Sequence, residues 1–564
     1  MITSPEPAKL TRNEGLKEAS PTLAGTIGAT LANPAVDRFS DDDYEFLKFH
    51  GIYQQDDRDQ RKVAKHYMFM VRGRLPGGTV QPEHYLTFDR LASQFANNTL
   101  RITSRQGFQF HGIVKTGLGP MMKGISEALA TTLAACGDVN RNVMAAPTPA
   151  TNELVELIQA DALLVSNALL PKTTAYHQIW VEGVQLNLED ESAKNFVDPL
   201  YGKTYLPRKF KTAFAIPPLN DVDVFTNDLG YVAIVENGKL IGYNLLVGGG
   251  LGMSHGNAQT FPRIADVIGF LTREHVVPVA KAVLGVHRDF GDRTNRKHAR
   301  LKYVLEEKGV EWFRTELTER LGGFPLSPAR PFQFTKQGDT FGWQKQLDGK
   351  LFLGLYVETG RIKDTDKYQL KTALRKIVEQ FRTEIRLTPT QNLLLVDVKP
   401  ADRDAITKLL AEHGIPVENQ GTLIRRASMA CPALPTCGLA LAESERVFPD
   451  VLGRIEQLLA EVGLQDEEII IRMTGCPNGC ARSSMSEIGF IGKGPGRYQL
   501  NFGGNEASTR LNRPYKETVK NEDIVNELRP VLVRFAKERI GKERFGDFCE
   551  RVILKDLPPT AHHH

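Results

Sequence analysis

The sequence predicts an α+β molecule built from two repeated units set about a pseudo-twofold axis. Two observations predict it. A short motif occurs twice, as Arg101-Ile-Thr-Ser-Arg-Gln106 and Arg386-Leu-Thr-Pro-Thr-Gln391, each time after a helical stretch, LTFDRLASQFAN and LKTALRKIVEQF. A longer segment also recurs, as GYVAIVENGKLIGYNLLVGGG at 230–250 and EIGFIGKGPGRYQLNFGGN at 487–505. The order is A, B, A′, B′. The A units read as strand–helix–strand pieces and the B units as larger α/β lobes.

Composition narrows the class. A chain of 564 residues is too long for one core. With 41% hydrophobic and 24% charged residues it is ordinary for a soluble globular protein. A net charge of +4 does not suggest a nucleic-acid surface. No apolar run approaches bilayer length, and MITSPEPAKLTRNEG lacks the apolar centre of a signal peptide. Six cysteines in such a length are no disulfide framework, so a reducing cytoplasm is expected. The terminal His562–His564 are set aside as native residues or a tag remnant.

The elements follow in order. Residues 1 to about 45 are polar, with scattered Pro, Gly and Asn, and are expected to be mobile in part. In the first A unit alternate positions of a strand would place Arg101, Thr103, Arg105, Gln109 and His111 on one face. The second copy keeps Arg386, Thr388 and Thr390, then turns apolar at Leu394 and Val396. Only the first copy is therefore expected to face a charged partner. In the first B unit Arg208-Lys209-Phe210-Lys211, if extended, puts both lysines on one face and anchors Phe210 on the other. Taken alone, such a run is more often a solvated basic edge. Arg72 and Arg74 share the same period of two. The glycines of Gly248-Gly249-Gly250-Leu-Gly252 fit neither G-x-G-x-x-G nor a P-loop, and are expected to let backbone approach closely. No NADPH or flavin fingerprint occurs, so any electrons the chain takes from NADPH are expected to be delivered by another protein.

The second B unit carries the strongest signal: Cys431-x5-Cys437 in CPALPTCG and Cys476-x3-Cys480 in GCPNGCARS. Four soft thiolates suit zinc or an iron–sulfur cluster. The spacing argues against a zinc ribbon, which favours C-x2-C knuckles. Pro477 at the first position of a helix would place Cys476 and Cys480 on one face. Cys136 and Cys549 have no partner at ligand spacing and read as inert buried thiols.

C-x5-C followed by G-C-P-N-G-C resembles the sulfite and nitrite reductases that couple a 4Fe–4S cluster to siroheme. The likeness extends over YQQDDRDQR (53–61), RGRLPGG (72–78), RITSRQGFQFHG (101–112), NRNVMA (140–145), YLPRKFKTAF (205–214), YNLLVGGGLG (243–252) and GRYQLNFGGN (496–505), and so over roughly residues 45 to 555. Within the family it is strongest to the hemoprotein, or beta, subunits of the assimilatory NADPH-dependent branch.

The resemblance implies duplicated ferredoxin-like half-domains and two α/β lobes around siroheme and the cluster. The boundaries it suggests are an extension at 1–62, a first half at 63–134 joined in space with a second at 336–412, a siroheme and substrate lobe at 135–335, and a cluster lobe at 413–558. It implies Cys431, Cys437, Cys476 and Cys480 as cluster ligands, with Cys480 bridging to siroheme and Asn478 and Gly479 bringing N–H groups near the sulfurs. Arg101, Thr103, Arg105, Gln109 and His111 would line the macrocycle, a polycarboxylate that needs cations and donors. Arg72, Arg141, Lys209 and Lys211 match the anion-binding quartet, with Arg74 and Arg208 beside them. The activity implied is six-electron reduction of sulfite to sulfide for sulfate assimilation and cysteine synthesis. Electrons would come from an FAD/FMN flavoprotein, or alternatively from ferredoxin. A siroheme nitrite reductase is the rival enzyme. Such relatives usually carry Asn where Lys211 stands. A non-catalytic iron–sulfur relay would not need the cationic quartet.

Overall fold

The computed structural model describes residues 9–149, 153–173, 179–181, 184–186 and 196–557. The first eight residues and His562–His564, both considered above, lie outside them. Helix Leu370–Phe381 shows why an A unit folds. Leu370, Ala373, Leu374, Ile377 and Val378 recur every three or four residues and are all buried, so one stripe faces the core. Helix Pro82–Phe95 does the same with Tyr85, Phe88, Leu91 and Ala92. Both helices cover one continuous core. A buried Lys371–Asp89 ion pair of 2.8 Å joins them.

Each helix lies on a five-stranded sheet. The first has the order Ile52–Asp56, Tyr67–Arg72, Phe108–Ile113, Leu100–Ile102, Arg361–Ile362. The second has the order Gly342–Lys345, Leu351–Leu355, Leu393–Val398, Glu384–Leu387, Thr79–Val80. Each half lends the other its edge strand, Arg361–Ile362 one way and Thr79–Val80 the other. The exchange covers an edge that would otherwise be open.

The repeated motif is a hairpin, which corrects the single-strand reading. Arg101 lies opposite Gln109 in antiparallel register, and the chain reverses near Gln106, at φ +53°. Thr103 Oγ1 accepts from the amides of Arg105 and Gly107 at 3.3 and 3.1 Å, which diverts the backbone from the ladder. Arg101, Gln109 and His111 still share a face, because opposite and alternate positions do. Arg105 moves into the turn. The second copy reverses in the same way at Gln391, φ +73°.

The B units are also copies. One sheet runs Met144–Ala145, Thr212–Ala215, Leu229–Glu236, Lys239–Val247, Asp266–Leu271; the other runs Met429–Ala430, Ile471–Thr474, Ile488–Gly494, Arg497–Phe502, Arg513–Lys520. In both, the first two pairings are parallel and the next two antiparallel. The turns before the third strands, Val224–Thr226 and Ser483–Met485, are capped by left-handed Asp223 and Arg482. These equivalent residues pair with each other, Arg482 Nε donating to Asp223 Oδ2. Arg472 Nη1 donates to the same oxygen at 2.8 Å. Arg482 also donates to the carbonyls of Ser104 and Pro389, matching positions of the two A hairpins. One guanidinium therefore holds both A turns and the opposite lobe.

From residue 9 onward the N-terminal segment is laid against the first lobe. In helix Arg12–Ala19, Lys17 Nζ donates to Glu14 Oε1 at 2.7 Å and to the Leu206 carbonyl at 2.8 Å, with Lys17 and Glu14 both buried. Among the described residues no helix is long and apolar enough to cross a membrane.

Candidate functional site: cysteine cluster and cationic wall

Cys476 and Cys480 stand in a turn and not on a helix. Thr474 ends its strand, and no helix begins at Pro477. Gly479 at φ +66° turns the chain left-handed, which breaks the helix the sequence suggested. Its missing side chain also matters, since a Cβ there would stand 3.3 Å from Leu251. The Gly248–Gly252 loop is that close neighbour, and Met253 N donates to the Pro477 carbonyl at 2.9 Å. Lys302, wholly buried, fastens this loop through the carbonyls of Gly250 and Gly252 at 3.1 and 3.0 Å.

The four thiols converge. Cys431 and Cys437 belong to one small apolar cluster with Ala433, Ala440 and Ala481. Burial, then the neighbouring Cys480, raises the pKa of Cys431, Cys437 and Cys476, in the last case to about 11. Donors already point at the sulfurs. Gly475 N lies 3.3 Å from Cys431 Sγ, and Asn478 Nδ2 lies 3.4 Å from Cys476 Sγ. No three ligating residues among those described close tightly enough for a single ion. Four thiolates with N–H donors at their sulfurs are the donor set of an iron–sulfur cluster.

Facing Cys480 is a wall of cations. Phe210 is buried and stacks on His287, with ring centroids 5.9 Å apart. Its backbone exchanges hydrogen bonds with Val139 and Arg141, at 3.1 and 2.8 Å. That anchor leaves Lys209 and Lys211 on the other face. Burial, then the charge of Arg208, lowers the Lys209 pKa to about 7. Burial, then Arg105 and Lys209, sets Lys211 well below its usual value. Both lysines feel the Cys480 thiol, as does Arg72. Behind Lys211, Asp228 accepts from its amide at 2.9 Å and is itself held by Arg300 at 3.0 and 2.7 Å. Arg141 Nε donates to the Gly137 carbonyl at 2.8 Å.

The residues assigned to the macrocycle divide. Arg101 is 1% exposed and gives Nε to Glu445 and Nη2 to the carbonyls of Ala430 and Thr359. Only its Nη1 remains for a ligand. Arg105 donates to Asn227 Oδ1 and to the carbonyls of Asn142 and Thr212, at 3.0, 2.6 and 3.1 Å. Thr103 shapes the turn. Gln109, with its amide oxygen turned to Arg72, accepts from Arg72 Nε and Nη2 at 3.2 and 2.6 Å. His111 Nδ1 lies 3.1 Å from Arg361 Nη1. An arginine can only donate, so Nδ1 accepts and the ring proton sits on Nε2. Burial, then Arg361, holds His111 neutral. Arg74 leaves the wall and donates to Ser166 O and Oγ, both at 2.8 Å.

Sequence reasoning missed Asn142, Asn227 and Arg300, which hold the cationic residues in place, and Cys136, which accepts from Arg72 Nη1 at 3.2 Å. Asn142 lies inside the NRNVMA run, but no spacing rule ties it to Arg105.

A family model described as "Nitrite and sulphite reductase 4Fe-4S domain" matches residues 161–323. Another, "Nitrite/Sulfite reductase ferredoxin-like half domain", matches 61–128 and 344–413. The chain is 48% identical over 554 residues to a Myxococcus xanthus protein named sulfite reductase [NADPH] hemoprotein beta-component, covering 97% of each. Likenamed proteins of Staphylococcus haemolyticus and Geobacillus kaustophilus are 48% and 46% identical, with 96% and 98% of this chain covered and 95% and 97% of theirs. The fold is that of the Mycobacterium tuberculosis NirA protein, with a TM-score of 0.79 at 24% identity over 97% of this chain and 98% of that one.

Proposed function

The chain belongs to the nitrite and sulfite reductase family that joins a 4Fe–4S cluster to siroheme, and from that premise we propose how its residues reduce sulfite to sulfide. When bound, siroheme would supply an iron to take the sulfite and the cluster would supply the electrons for its reduction. Cys431, Cys437, Cys476 and Cys480 would hold the cluster, and Cys480, which faces the cationic wall, would be the thiolate nearest the siroheme. The N–H groups of Gly475 and Asn478 near the sulfurs favour the reduced, more negative cluster. Arg101 Nη1, Arg105 and His111 Nε2 are the donors left for the macrocycle carboxylates.

Arg72, Arg141, Lys209 and Lys211 bind the substrate anion. They attract it, stabilise the charge that arrives with the electrons, and give protons as oxygen leaves as water. A lysine whose pKa lies near 7 donates readily at neutral pH. The observation that carries this reading is that Arg72, Lys209 and Lys211 all lie within electrostatic reach of Cys480. Lys211 favours sulfite over nitrite. The likeness to NADPH-dependent hemoprotein components supports an FAD/FMN flavoprotein as donor, with ferredoxin the alternative, and a cytoplasmic setting.

The purified, cofactor-loaded chain is expected to make sulfide from sulfite with reduced methyl viologen and to make none with NADPH until a flavoprotein is added. Steady NADPH oxidation by the chain alone would refute the division of labour. Absence of sulfide with viologen, despite full cofactor content, would refute the activity.

A further inference from the structure

We infer that Cys136 is a positioning residue: with Gln109 it clamps the guanidinium of Arg72 so that one paired face of N–H groups is left for the anion. The inference rests on the proposed role of Arg72.

Arg72 and Gln109 are register partners on neighbouring strands, Tyr67–Arg72 and Phe108–Ile113. The amide oxygen of Gln109 takes Nε and Nη2 from one side, at 3.2 and 2.6 Å. The Cys136 sulfur takes Nη1 at 3.2 Å. The ring of Tyr53 lies 6.0 Å from the guanidinium carbon. A guanidinium has five N–H donors in a fixed fork. Three are used, and the two that remain lie one on each Nη. Two parallel donors match two oxygens of an oxyanion.

The acceptor is a thiol for a physical reason. Sulfur is a weak acceptor, so it orients the fork without neutralising it. A carboxylate at this place would form a full ion pair and withdraw the charge from the substrate. The thiol is rigidly placed, since Cys136 is wholly buried. A Cβ at the next residue, Gly137 at φ +90°, would stand 2.8 Å from the Phe49 ring. The same short loop sets the second arginine: Arg141 Nε donates to the Gly137 carbonyl at 2.8 Å and Nη1 lies 3.5 Å from the Ala135 carbonyl. Residues 135–137 thus aim two of the four anion-binding cations.

The test is a double-mutant cycle on holoenzyme with a viologen donor. Sulfite affinity is read two ways, as KM in turnover and as the Kd from spectral titration of the oxidised protein. Cys136→Ala is expected to raise both about tenfold, the scale of one hydrogen bond to a charged group, with kcat changed less than about twofold. Cys136→Ser, whose hydroxyl still accepts, should stay within about threefold of wild type. In an Arg72→Lys background the further change Cys136→Ala should add nothing. Additive losses overturn the clamp, as does loss of cofactor with unchanged sulfite affinity. Should Cys136→Ala fail to accumulate, Gln109→Leu removes the other jaw and is expected to raise KM and Kd alike, and a normal KM there overturns the clamp. A wild type that binds sulfite spectroscopically but does not turn it over would instead refute the proposed activity and leave the Kd comparison valid.

Discussion

At the scale of single residues, the deciding fact is that cations are pressed together without matching carboxylates. Lys209 and Lys211 have lowered pKa values because burial and then neighbouring cations, Arg208 beside Lys209 and Arg105 beside Lys211, disfavour charge. A dianion placed between them restores the charged form, so affinity and charge are coupled. This predicts selectivity. Lys211→Asn keeps a donor and removes a charge. It is expected to lower kcat/KM for sulfite by roughly tenfold to a hundredfold while nitrite, with a single charge, loses much less. Kinetics on both substrates at matched cofactor content check it, and equal losses would make Lys211 a general support. Cys480→Ser replaces a soft ligand with a hard, weakly acidic hydroxyl. Its expected outcome is uncoupled cofactors and collapse of sulfite reduction, read from the visible and paramagnetic spectra together with sulfide production. Retention of both would remove Cys480 from the bridging role.

At the scale of elements, the first A hairpin is tied to the cluster lobe through one carboxylate. Glu445 accepts from Arg101 Nε at 2.8 Å and from Arg361 Nε and Nη2 at 2.7 and 2.9 Å. Burial alone would push its pKa up, but Arg361 and Arg101 hold it down to about 2. The sign follows: a depressed carboxylate stabilises the fold above its unfolded pKa and loses that contribution as pH falls towards 2. Glu445→Ala leaves two guanidiniums facing each other and is expected to destabilise by about 3–5 kcal/mol. It should also flatten the loss of stability in acid. Thermal melts from pH 3 to 7, at matched cofactor content, measure both. An unchanged melting temperature at pH 7 would mean that water replaces the carboxylate without penalty.

At the scale of the whole molecule, the pseudo-twofold axis is chemical as well as geometric. Asp223 and Arg482 are equivalent positions that became opposite charges and now bind each other. Arg472 shares the same oxygen. Asp228 with Arg300 and Glu487 with Arg544 repeat one ion pair on a buried carboxylate in both lobes. Gln106 and Gln391 each exchange two hydrogen bonds with the backbone of an equivalent strand, at Ala145 and Ala430. Asp223→Asn removes the charge at the axis and strands two buried guanidiniums. A loss of about 3–5 kcal/mol is expected, and the turn carrying Cys476 and Cys480 should loosen with it. Faster chelator-driven loss of iron from the variant is the measurement, and wild-type loss rates would contradict it.

The sequence by itself determined the duplication, the four thiols and the lysine pair, because each is a local pattern: a repeated string, a ligand spacing, a period of two around a buried Phe210. Only the tertiary structure decided which cations stay available. Arg101 and Arg105 look like free cations along the chain, yet Glu445 and the carbonyls of Ala430, Asn142 and Thr212 claim most of their donors. Cys136, inert by its spacing, meets Arg72 across 64 residues. The strand face was right for Gln109 and His111 through hairpin register, and Gly479 undid the helix expected at Pro477. The physical reason is one of range. Periodicity and ligand spacing are set between neighbours on the chain, whereas a guanidinium's partners are whatever the fold brings within about 3 Å of it.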